Sequence, residues 1–397
     1  MQPIRLESHY LIHLLSAVLK DIQPQNPPDK LNWENLYKLA VWHGVSNMVC
    51  YGVSRLTCDN QPTQDILKKF QNDRKKAVAR EATQHIAVEQ ILEAFEEKGI
   101  ASMPLKGCLV KYLYPLPDMR LMADIDIFFK TEQAEKVKKI MLEQGYTVKH
   151  EGGNHDVYYR QPYMNIEMHH RLISEDSSYS GDYLNKTWDR AVLKPGCRHT
   201  YEFSHEDFYI YLLIHLTKHY TGGGTGVRSF LDIWLYKERY KAEMDWDYIQ
   251  AELNEINLRE FAENVLGLCE VWFGNMESNA LYEEMTEYVI YSGVYGIRKH
   301  AVVSSMGIKS SKKHSVRMAK CLYSLKLFFP SLDTMIIQYP FLEALPSLLP
   351  ACWVLRGIRC IVFKRKHTLQ MINNVHSVSE EDMIKIESLH KKAGLLK

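Results

Sequence analysis

Residues 123–129 read ADIDIFF, an apolar run carrying a carboxylate at every second position. Side chains alternate between the two faces of a strand, so Asp124 and Asp126 point one way while Ile125 and Ile127 point the other. Two carboxylates about 4 Å apart repel by roughly 4 kcal/mol at an effective dielectric near 20. A partly buried pair must therefore share a proton or hold a cation. This strand needs a fold that gives one of its faces a core and the other a cleft.

A second stretch of the same design is YMNIEMHHRL at 163–172. Here Asn165, Glu167, His169 and Arg171 share one face, and Met164, Ile166 and Met168 take the other. Were this strand the neighbour of 124–129, Asp124, Asp126 and Glu167 would gather at one place. Carboxylate oxygens together with substrate phosphates suit Mg²⁺, and Mn²⁺ is the alternative. Two such ions can clamp both the attacking and the leaving oxygen of a phosphoryl transfer. Upstream, Lys106-Gly107 sits where a strand gives way to a helix. Glycine there lets a phosphate approach backbone N–H groups, and Lys106 or Arg120 can set positive charge against a triphosphate. The G-x-x-x-x-G-K-[ST] phosphate-loop motif is absent.

The surrounding pattern fixes the class. Residues 1–100 are helical in periodicity, with Asn32 or Asn35 a candidate cap and a proline-free, glycine-free stretch from Thr63 to Lys98. Residues 101–200 read β-α-β-α-β-β-β, and 201–397 return to helical spacing. The expectation is an α+β protein in which a small mixed sheet at 101–200 lies between an N-terminal helical region, 1–100, and a C-terminal helical domain, 201–397. TGGGTG at 221–226 follows no strand, so it reads as a connection between helices. Arg228 and Asp232, at i and i+4, are expected to pair with each other, and Arg228 is also a candidate to reach the cleft. His215 and His219 have zinc spacing without the H-E-x-x-H glutamate.

Composition narrows the remaining classes. With 49 basic and 48 acidic residues the formal net charge is +1, which gives no chain-wide attraction to nucleic acid or to an anionic membrane. Eight cysteines without a C-x-x-C pair read as reduced thiols in a cytoplasmic protein. The first residues, MQPIRLESHYLIHLL, lack a signal-peptide cleavage site. The most membrane-like stretch, LEALPSLLPACWVLRGIRCIVFKRK at 342–366, is broken by Pro346 and Pro350 and charged at Arg356 and Arg359. It falls short of the roughly 20 apolar residues of a span, so no transmembrane segment is expected and a buried or interfacial helix is.

Taken together, L-K-G at 105–107, Arg120, D-I-D at 124–126 and I-E-M-H at 166–169 resemble the uncharacterised nucleotidyltransferase family of the DNA polymerase β-like superfamily. The order is also similar to that of abortive-infection-type nucleotidyltransferases. H-L-T-K-H at 215–219, G-V-R-S-F-L-D at 226–232 and L-L-P-A-C-W-V-L-R at 348–356 extend the likeness. The resemblance implies transfer of a nucleoside monophosphate from an NTP to an acceptor hydroxyl. It implies metal binding and catalysis by Asp124, Asp126 and Glu167, with two Mg²⁺ ions or Mn²⁺ in their place. It puts the triphosphate at Gly107, with Lys106 and Arg120 as the cationic contacts. His169 and Arg228 are candidate substrate contacts, and His169 is equally a candidate ligand or a structural histidine. The acceptor is a small molecule or, in a toxin-like enzyme, tRNA; a degenerate nucleotide-binding module is the remaining alternative. Two departures from the superfamily pattern stand out. Cys108 follows Gly107 where serine or glycine is usual, and the interval from Gly107 to Asp124 is long.

Overall fold

The computed structural model describes residues 5–172, 181–297, 300–303, 316–363 and 365–395, apart from a few side chains. The fold is α+β, as expected. Its contacts divide it into two compact units, Met1–Leu216 with Gly226–Val294, and Thr217–Thr225 with Tyr295–Lys397.

The first unit opens with helices α1 (Arg5–Leu19), α2 (Trp33–Trp42), α3 (Ser46–Ser54) and α4 (Gln64–Lys98). Asn32 caps α2 by accepting from the Asn35 N–H at 3.0 Å. At 35 residues, α4 spans the whole proline-free stretch. It stops at Gly99, whose φ of 71° is the left-handed turn that glycine adopts without strain, and Ile100 N–H closes the end on Phe95 O at 2.8 Å.

Five strands follow: β1 (Ser102–Pro104), β2 (Ile125–Phe129), β3 (Thr147–His150), β4 (His155–Arg160) and β5 (Met164–His169). They form one mixed sheet in the order β1-β2-β5-β4-β3. Only β2 and β5 run parallel; β1 on β2, β4 on β5 and β3 on β4 are antiparallel. A parallel pair needs a crossover, which helix α6 (Ala134–Glu143) and the β3–β4 hairpin supply. Between β1 and β2 the expected helix is a single turn, α5 (Gly107–Val110), followed by a 3₁₀ turn at Lys111–Leu113. Pro115 and Pro117 lie just beyond, where a longer helix would lose backbone donors.

One face of the sheet is sealed. Ala87, Ile91 and Phe95 of α4 pack with Val137, Ile140 and Met141 of α6 against Ile125, Ile127, Ile166 and Met168. The odd-numbered residues of β2 and even-numbered residues of β5 thus go into the core, which commits their polar neighbours to the opposite face. Farther on, helices His205–Gly222 and Val227–Tyr240 are joined by the glycine run, a connection as read.

The second unit carries helices Val316–Phe328, Leu332–Gln338, Leu349–Phe363, Arg365–Ser377 and Glu380–Lys392. Among the described residues no helix is long and apolar enough to cross a membrane.

Candidate functional site

The parallel register of β2 and β5 sets Asp126 beside Glu167 and Phe128 beside His169. The two acidic strands are therefore neighbours, and the face away from α4 and α6 gathers their polar side chains. Asp124 sits half-buried in the bend just before β2, which begins at Ile125. Just upstream of the ladder, Ala123 O accepts from a helix side chain, Arg80 Nη2, at 3.1 Å.

Asp126 is the hub. Its Oδ1 accepts from Lys106 Nζ at 3.1 Å, and His169 Nε2 lies 2.7 Å from the same oxygen. An ionised carboxylate can only accept, so Nε2 carries the proton. Burial by itself would raise the Asp126 pKa, but Lys106 and His169 outweigh it and hold this carboxyl well below its ordinary range. Burial opposes the charge on Lys106 too; Tyr211, Asp126 and Asp124 nonetheless lift its pKa. Burial pushes the Tyr211 hydroxyl far up, so it is neutral near pH 7 and the two aspartates are the charges that act.

Glu167 is shifted the other way. Burial raises its pKa, and Asp124 and Asp126 raise it further, against partial relief from His169 and Lys106. His155 Nε2 and His169 Nε2 lie 3.6 and 3.7 Å from Glu167 Oε2. Around this point Asp124, Asp126 and Glu167 face one ammonium, Lys106. The cluster thus has a surplus of negative charge, which a divalent cation would relieve. One donor atom each from Asp126, Glu167 and His169 lies within 4.8 Å of the others, close enough for a single ion to reach the two carboxylates. The residues present fit such an ion.

The turn that presents Lys106 is strained. Its φ of 41° and ψ of −113° belong to glycine's territory. The surroundings fix it: Leu105 N–H donates to Asp126 O at 3.0 Å, and the N–H groups of Leu109 and Val110 donate to Lys106 O at 3.0 and 2.9 Å. At Gly107 a Cβ would stand 2.8 Å from Met122 Cγ, so glycine lets this turn close on the buried Met122. Cys108 contributes no nucleophile, since burial and then Asp126 push its thiol up to about 12.

Arg120 is held away from solvent. Its Nε and Nη2 make a forked pair with Asp232, with Nε at 2.8 and 3.0 Å and Nη2 at 2.7 Å, and its Nη1 donates to Leu121 O at 2.7 Å. Tyr114 OH adds a fourth bond, to Asp232 Oδ1 at 2.7 Å. Asp232 thus pairs with a residue 112 positions away instead of with Arg228, one helical turn back. Arg228 Nη1 donates to Leu121 O at 3.0 Å. Both arginines therefore secure the segment leading into Asp124.

Sequence patterns did not single out three neighbours of the site. Gln84 is 1% exposed in the middle of α4, and its Nε2 donates to Met122 O and Tyr163 O at 3.3 and 3.2 Å. It ties the segments entering β2 and β5 to one another. A buried glutamine on an apolar helix face was the available signal. His155 on β4 pairs across the ladder with His169, and alternation alone would have placed it. Tyr211 comes from a distant helix and left no local mark.

No curated protein and no solved structure matches the chain. A family model described as an uncharacterised nucleotidyltransferase matches residues 29–274, taking in the whole sheet and the helix that carries Asp232. With more than half of its length covered, the chain belongs to that family of nucleotidyltransferases.

Proposed function

We propose that the protein transfers a nucleoside monophosphate from an NTP to an acceptor hydroxyl, with Asp126, Glu167 and Asp124 holding divalent cations, Mg²⁺ or Mn²⁺. The observation that carries this reading is the side-by-side placement of Asp126 and Glu167, the first with its proton affinity lowered by Lys106 and His169, the second with its proton affinity raised. In the reaction the acceptor oxygen bonds to the α-phosphorus, the bond to the bridging oxygen breaks, and pyrophosphate leaves with that electron pair. A bound divalent ion would supply charge neutralisation on the phosphates and acidify the acceptor hydroxyl. Glu167, whose proton affinity is raised, is suited to take the hydroxyl proton. Lys106 and Gly107 seat the triphosphate at the strained turn, with the ammonium exchanging Asp126 for a phosphate oxygen. Arg120 and Arg228 serve by holding the 120–124 segment, and His169 orients Asp126.

A neighbouring cavity of about 370 Å³ supports a place for the acceptor. Phe128, Lys130, His170, Arg171 and Trp188 are among its lining residues. Phe128 lies one alternate position beyond Asp126, about 7 Å along the strand. Lys130 and Arg171, with Glu132 the acidic lining residue, set polar groups over aromatic side chains, which suits an acceptor carrying negative charge, whether a small phosphorylated molecule or an RNA end.

The test is release of labelled pyrophosphate from β,γ-labelled NTPs in the presence of Mg²⁺ or Mn²⁺ and cell extract. Label from an α-labelled NTP should appear in an acceptor. Equal yields from the native chain and from Asp126→Ala would overturn the proposal.

A further inference from the structure

The helices at 316–363 carry apolar side chains that stay exposed among the described residues. Thirteen of the 31 exposed large hydrophobic residues among those described fall in this short segment. On helix Val316–Phe328 they are Met318, Leu322, Leu325 and Phe328, spaced as one stripe. On helix Leu349–Phe363 they are Val354, Leu355, Ile358 and Val362, 54–63% exposed and again on one side. The core beneath is small: Met335, Leu342 and Cys352 are its buried members. Apolar stripes this concentrated in one segment are unusual on a soluble monomer and mark an interaction site.

Charge identifies what covers it. Residues 316–366 hold eight Lys and Arg against two acidic residues, Asp333 and Glu343, in a chain whose overall charge is +1. The near-neutral total conceals this local surplus. Arg359 and Arg365 are exposed, the first near one edge of the Leu349–Phe363 stripe and the second just past its end. A second copy of the chain would bring like charge against like charge. Basic residues flanking Leu, Ile, Val and Phe are instead the pattern of a helix lying in the plane of an anionic lipid surface. No described helix is long and apolar enough to span, so the contact is lateral.

We propose that the 316–363 helices dock this protein on anionic membrane surfaces, with the two apolar stripes in the headgroup layer and the flanking arginines on lipid phosphates. The site at Asp126 would then act on substrates at or near that surface. The docking stands independently of the proposed reaction.

The experiment is co-flotation of the full chain with vesicles of phosphatidylcholine alone or of phosphatidylcholine with phosphatidylglycerol. Binding should need phosphatidylglycerol and weaken as salt rises. Ile358→Asp with Val362→Asp should abolish it; both positions are exposed, and an unchanged circular dichroism melt would confirm that the fold survives. Arg359→Gln with Arg365→Gln should weaken it about 30-fold, from roughly 1 kcal/mol per basic residue. Three results would overturn the proposal: no flotation with anionic vesicles, equal flotation with neutral ones, or light scattering that shows a dimer lost in the Ile358→Asp, Val362→Asp variant.

Discussion

The charge clusters around Asp232 and around Asp126, both buried in the first unit, are built to opposite rules. Around Asp232 the carboxylate is fully engaged: Arg120 forks onto it, Tyr114 adds a neutral donor, and Leu121 O takes the remaining guanidinium nitrogen. Around Asp126 the match is incomplete. Lys106 and His169 share one carboxylate oxygen, and Glu167, with a raised proton affinity, is left beside Asp124 and Asp126. A balanced cluster holds a structure together; one with surplus charge is prepared to receive something.

The sharpest way to break it is Asp232→Ala. That change strands a guanidinium whose side chain is 10% exposed, and removing one partner of a buried pair costs about 3–5 kcal/mol. The urea midpoint should fall steeply. Glu167→Gln should do the reverse. Nucleotidyl transfer should drop about a thousandfold, the equivalent of the several kcal/mol that such a ligand set supplies. Its urea midpoint should hold or rise slightly, because like charge is removed. Were Glu167→Gln as destabilising as Asp232→Ala, the distinction between the clusters would fail.

Gln84→Leu tests the joint between the two strands. Leaving Met122 O and Tyr163 O without their donor should cost about 1–3 kcal/mol in the urea midpoint. It should also lower kcat more than it changes the KM for NTP, since the carboxylates would lose mutual alignment.

The smallest effect is in pH. The folded-state pKa of Glu167 is raised above its ordinary value of 4.5. The native state therefore binds the extra proton between 4.5 and the raised value, and stability from this group grows as pH falls through that window. The slope is at most about 1.4 kcal/mol per pH unit and should be missing in Glu167→Gln. Asp126, depressed, contributes stability above its ordinary value of 3.8 that is lost as pH falls below it. Transfer activity should decline in the same window where Glu167 protonates. Cation binding measured calorimetrically in two buffers should show proton release there.

Much of this was legible before any coordinates. Period-two alternation assigns Asp126, Glu167 and His169 to the polar faces of their strands because each strand has an apolar partner face to commit. Pairing of the two strands, and hence the contact of His169 with Asp126 across 43 positions, was a condition that sequence could state and not resolve. Alternation extends the strand to Asp124, but β2 begins at Ile125, and the residue before Asp124 bonds through its carbonyl to Arg80, a side chain from another element. The partner of Arg120 was illegible for a similar reason. Helical spacing favours Arg228 with Asp232, and only tertiary packing brings in a competitor with a better fork. Local periodicity thus gave the faces, while long-range bonds decided which groups met on them.

The turn at Lys106 carries a last implication. A lysine there occupies backbone geometry that glycine would adopt at ease. Lys106→Gly would relax the main chain and, in the same stroke, strip the ammonium from Asp126, so its conformational and electrostatic effects should have opposite signs. Thermostability screens that reward easier backbones should drift away from lysine here and, under the proposed reaction, lose affinity for nucleotide.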